Sequence, residues 1–162
     1  MNPFTSPTID EIKKKYEYKI DPLDFLYTAD IIYCILHGRF IGRFEGYKFD
    51  EKIKEIRKII YNKSDTIDKN ILESFEKTLN NISDFCEEVK KKISFDCKEI
   101  APIITGISSD YERNKDKPGA IDIYLKISKE IIDKEIKILI EYEKKFILYN
   151  DHIISIKKKL TN

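Results

Sequence analysis

Apolar residues recur at steps of three and four almost throughout the 162-residue chain, the period of α-helices rather than strands. In the first half the clearest column is Ile71, Phe75, Leu79, Ile82, Cys86, Val89 and Ile93, which predicts a long helix near 66–93. In the last third Leu125, Ile132, Leu139, Phe146, Ile153 and Leu160 recur every seven residues, flanked by Ile121, Tyr142, Tyr149 and Ile156. That stripe predicts a second long helix near 120–160 that needs helical partners along its length. The alternation Ile121, Ile123, Leu125, Ile127 would suit a strand, but the heptad column is longer and outweighs it. A break at Asn150-Asp151 would divide this helix in two.

Punctuation residues place the other elements. Thr8 can cap a short helix with Asp10 and Glu11 in its first turn and Ile9, Ile12, Tyr16 and Ile20 on one side. Asp21-Pro22 reads as cap and first residue of a second helix, apolar on most of its circumference through Leu23, Leu26, Tyr27, Ile31, Tyr33, Ile35 and Leu36. Asp50 can cap a third, through Ile53, Ile56, Ile59 and Ile60, ended by the polar run 62–65. Pro102 limits 97–107 to a short helix, and the polar stretch 108–119, with its Pro-Gly pair, reads as an exposed loop. The expected fold is all-α: a single helical domain over 1–162, built as an antiparallel bundle of about five to seven helices.

Composition narrows the setting. Lys+Arg 30 against Asp+Glu 29 gives a net charge of +1, so no global field draws the chain to nucleic acid or an anionic membrane. No apolar stretch is long enough for a signal peptide or a membrane span, and three cysteines, Cys34, Cys86 and Cys97, make a poor disulfide framework. A cytoplasmic protein without membrane contact is expected. Abundant Ile, Lys, Asn and Tyr, with alanine only at 29, 101 and 120, point to an AT-rich genome such as that of a bacterium, phage or mobile element.

The stretch HGRFIGRFEGYKF, residues 37–49, carries Gly38, Gly42 and Gly46 with Arg39 and Arg43 in step. Glycine inside a helix costs roughly 1 kcal/mol relative to alanine, so a helix through this stretch requires an offset. The preferred reading is a ridge of Cys34, Gly38, Gly42 and Gly46 against which another helix crosses closely, ending in a turn at Gly46. The functional reading is a recognition surface in which Arg39, Phe40, Arg43, Phe44 and Tyr47 anchor a partner. A hairpin loop is the third.

Cys34-x-x-His37 could begin a zinc site with Cys86, Cys97 or His152, but no second close ligand pair exists, and neither metal nor cofactor is expected. Nucleophile-elbow, phosphate-loop and His-Glu-x-x-His motifs are absent from the sequence, so no catalytic residues are expected. The lysine runs 13–15, 90–92 and 157–159 read as solvated helix ends. The resulting expectation is a non-enzymatic protein that binds and blocks another macromolecule, such as an inhibitor, immunity protein or antitoxin, with a protein as partner. The alternative is a nucleic-acid binder using the patch 39–49; the C-terminal helix could pack within the chain or against a second copy, as a homo-oligomer.

Overall fold

The computed structural model describes the backbone of residues 8–17 and 21–161, and the side chains of 8–14 and 21–161. The expected contributions of Lys15, Tyr16 and Ile20 therefore lie outside the described side chains. The described residues are all-α: α1 (Ile9–Glu17), α2 (Pro22–Tyr47), α3 (Phe49–Lys63), α4 (Lys69–Phe95), a π-helical segment (Asp96–Ile100), α5 (Ala101–Asn114) and α6 (Ala120–Thr161). Local chemistry starts most of them. At α1, Thr8 Oγ1 accepts from the Glu11 N–H at 3.2 Å while Glu11 Oε2 accepts from the Thr8 N–H at 3.3 Å, a reciprocal cap. Asp21 Oδ1 accepts from the N–H groups of Leu23 and Asp24, with Pro22 in the first turn of α2. Asp68 caps α4 through the Asn70 N–H at 2.7 Å, so α4 begins three residues later than its apolar column suggests.

Three boundaries differ from the sequence reading. The turn after α2 falls at Lys48, not Gly46, and Lys48 takes the left-handed conformation at φ 53 that side chains normally avoid. The flanking rings explain it: Tyr47 and Phe49 are both buried and stack at 5.3 Å with a 10° interplanar angle. One residue of reversed twist lets both enter the core. Asp50 then lies inside the first turn of α3 rather than capping it. Further on, Pro102 does not isolate a short helix. It sits in the first turn of α5, where a missing N–H is tolerated, and the π-helical segment takes up an extra residue ahead of it, the Ala101 N–H bonding back to the Asp96 carbonyl. Helix consequently continues through Ser108–Asn114, and the loop shrinks to 115–119, closed by Gly119 at φ 73.

Cross-contacts fix the topology. His37, Phe40, Tyr47, Lys52 and Glu55 meet Glu135, Tyr142, Phe146, Asn150 and Lys157 in that order, so α2 and then α3 run parallel to α6. Phe85, Glu88 and Lys92 meet Tyr149, Tyr142 and Glu135, so α4 runs the other way. Tyr27 donates to Glu112 while His37 faces Asp96, so α5 continues that direction against α2. The long helices thus form three lines, up, down and up: α2 with α3, α4 with the π segment and α5, and α6. The 42 residues of α6 span roughly 63 Å. α1 packs across α2 and α6.

From Ile132 to Leu160 the seven-residue column of α6 is buried within the chain. Asn150 does not break α6; it is buried and accepts from Lys52 Nζ at 2.9 Å. Around fully buried Phe146 the rings of Phe40, Phe44, Tyr47, Phe49 and Phe85 pack at centroid distances of 5.5 to 6.2 Å. No described helix is long and apolar enough to cross a membrane.

Candidate functional site

The five residues expected to form one recognition surface are divided between core and boundary. Phe40 and Tyr47 are fully buried and Arg43 is 5% exposed. Arg43 reaches inward to pair with Glu143 of α6, whose Oε1 also accepts from the Ile9 N–H at 2.8 Å. Phe44 is half-buried against Phe146 and Phe49, and Arg39 is half-buried. A face with three of its five anchors inside the protein cannot grip a partner, because their contact area is already spent on the chain's own core. The close helix crossing is not formed at the first two glycines either: a Cβ built on Gly38 or Gly42 would meet nothing within 4 Å. Both face outward.

The outer face of α2 that they share carries Leu23, Tyr27, Ile31 and Ile35, one per turn, all more than a third exposed. Ile31 is 55% exposed. The antiparallel register set by Tyr27 with Glu112 and His37 with Asp96 brings exposed Ile103 of α5 level with this row. The described chain covers these side chains only in part, Tyr27 by the Tyr111 ring at 5.9 Å, and leaves an apolar row at the surface.

Inside the bundle the three lines each contribute to a polar cluster. His37 comes from α2, Asp96 from the π-helical segment and Glu135 from α6, all buried. Lys92, one turn before Asp96, donates to Asp96 Oδ1 and to Glu135 Oε1, both at 2.7 Å. This bridge turns the second oxygen of each carboxylate toward His37. His37 Nε2 lies 3.4 Å from Asp96 Oδ2 and 3.3 Å from Glu135 Oε2. Although these separations are within ion-pair range, none of the three atoms makes a hydrogen bond. The ring of Tyr33 lies 4.3 Å from that of His37, and its buried hydroxyl is likewise without a hydrogen-bond partner.

The electrostatics follow from burial and from the bridge. Desolvation pushes the Asp96 carboxyl up to about 6 against the opposing pull of Lys92, and neighbouring Glu135 adds to the rise. Burial also opposes ionisation of Glu135, but its contacts with His37 and Lys92 prevail and hold it well below the usual carboxylate range. For Lys92, burial disfavours the charge, yet the two carboxylates keep its pKa above the ordinary value. Burial raises the Tyr33 phenol, and the charges of Asp96 and Glu135 add to that. A buried carboxylate pair braced by one ammonium and facing one imidazole can hold a proton or a cation.

The thiolate set considered from spacing is not assembled around His37. Cys34 and Cys97 are exposed, and burial pushes the Cys86 thiol up to about 12. Among the described residues, His37, Asp96 and Glu135 form the group whose ligand atoms come within 4.8 Å of one another. No motif spacing announces it, because its members lie on three separate lines. A weaker signal was present: Glu135 is three residues after Ile132 and four before Leu139, which puts a carboxylate on the buried stripe. No family model, curated protein or solved structure matches the chain.

Proposed function

We propose that the chain binds another protein and occludes it sterically, through the outer face of α2. The observation that carries this reading is the pairing of two helix-interior glycines, Gly38 and Gly42, that meet nothing in the described chain with the exposed row Leu23, Tyr27, Ile31 and Ile35. Each glycine costs α2 roughly 1 kcal/mol relative to alanine. No contact inside the bundle offsets that, whereas a partner backbone approaching the bare helix surface would. The AT-rich composition supports the narrower role of an inhibitor, immunity protein or antitoxin, and three unpaired cysteines support a cytoplasmic setting. Such a role needs no catalytic step.

A second reading, nucleic-acid binding, moves from 39–49 to α3, where Tyr61 is 83% exposed beside Lys54, Arg57 and Lys58. The two readings separate in one experiment. Tagged wild-type chain and the Ile31→Glu variant are used for nuclease-treated capture from the source cells, at low and moderate salt. Protein docking on α2 is expected to survive nuclease and salt and to be lost in Ile31→Glu. Capture unaffected by Ile31→Glu would remove the α2 face, and capture abolished by nuclease would favour the α3 reading.

A further inference from the structure

We infer that His37, Asp96 and Glu135 form a binding site for a divalent first-row transition ion, with Lys92 as the residue that aims the carboxylates. This inference is independent of the docking role of α2.

A tetrahedral ion with bonds of about 2.0–2.1 Å holds its ligand atoms about 3.3–3.4 Å apart. Those are the separations of His37 Nε2 from Glu135 Oε2 and Asp96 Oδ2, 3.3 and 3.4 Å. They are long for charge-assisted hydrogen bonds, and no hydrogen bond is made. Asp96 and Glu135 each give one oxygen to Lys92 and keep the other, without a donor, facing His37. Buried polar atoms are rarely left so, and here three belong to residues that are 8% exposed or less and converge on one spot. Each line of the bundle supplies one donor, the usual way a helical bundle builds a metal centre in its core. Asp96 enters through a π-helical turn, a local widening often found at such sites.

The donor set fixes the chemical class. One imidazole and two carboxylates, without thiolate, suit zinc, iron(II) or manganese(II) over copper(I). Two carboxylates and the Lys92 ammonium leave the pocket one negative charge when His37 is neutral, and this charge favours a cation. A proton on His37 would neutralise the cluster instead and is the competing occupant.

The test uses the full chain, stripped of metal by a chelator and then titrated with Zn²⁺ or Co²⁺. Binding of one equivalent is expected, with visible Co²⁺ absorption of four- or five-coordinate intensity. X-ray absorption of the zinc-loaded wild type should show a nitrogen and oxygen shell without sulfur. His37→Gln and Glu135→Gln should each weaken zinc binding by at least about 100-fold, whereas Cys34→Ser should leave it unchanged. No binding at micromolar zinc would overturn the proposal in favour of the proton. So would sulfur in the shell, or affinity retained in both ligand variants. Should a ligand variant fail to fold, the wild-type shell and stoichiometry still decide.

Discussion

Two buried carboxylates lie two turns apart on α6 and are treated in opposite ways. Glu143 is closed: one oxygen accepts from the Ile9 N–H and the other pairs with the Arg43 guanidinium. Glu135 is open: one oxygen accepts from Lys92, and the other faces the His37 imidazole and the second carboxylate of Asp96. Both are equally removed from water, so burial alone does not mark a site. What separates them is what faces the second oxygen: an always-charged guanidinium at Glu143, and an imidazole with a second carboxylate at Glu135. The closed pair ties α1, α2 and α6 together; the open one turns donor atoms toward one spot.

The largest effect is expected from breaking the closed pair. Arg43→Met should destabilise the protein by about 3–5 kcal/mol, because it strands the Glu143 carboxylate without its counter-charge, and urea unfolding would measure it. A loss below about 1 kcal/mol would mean that Glu143 is held by the Ile9 N–H alone. His37→Leu, in metal-free protein, should cost less than Arg43→Met, under about 3 kcal/mol, because each carboxylate it faces keeps its bond to Lys92. A loss as large as that of Arg43→Met would show that a proton on His37 closes this cluster too, and the comparison would collapse. The double variant Gly38→Ala with Gly42→Ala should stabilise the chain by about 2 kcal/mol in total, because both Cβ atoms enter open space. The same variant should weaken capture of a protein partner, since the added methyl groups stand where its backbone would approach. Smallest is Asn150→Leu, expected within about 0.5–1 kcal/mol of wild type, because Lys52 is only partly buried and can turn its ammonium to water. A larger loss would show that this third polar layer of α6 also sets register.

What was legible in the sequence is what depends on periodicity. The seven-residue column of α6 and the spacing of α4 predicted the two long helices, and Thr8, Asp21 and Pro22 marked real starts. Features decided by tertiary packing were not legible. Lys48 carries no signal for a left-handed residue; burial of Tyr47 and Phe49 on either side imposes it. Arg43 looked like a surface cation because its partner, Glu143, is a hundred positions away on another line. The candidate metal centre was hidden twice, by the distribution of its members over three lines and by the habit of reading charged residues as solvated. The carboxylates at 135 and 143 could have raised suspicion, since both interrupt an otherwise apolar stripe.

α6 touches all five other α-helices, yet it is the last helix in chain order. Until those residues leave the ribosome, the Phe40, Tyr47 and Phe85 rings have no Phe146 to close upon, and most of the translated polypeptide waits with its greasy faces uncovered. Premature termination within α6 would therefore release a species prone to aggregate rather than a shortened working form.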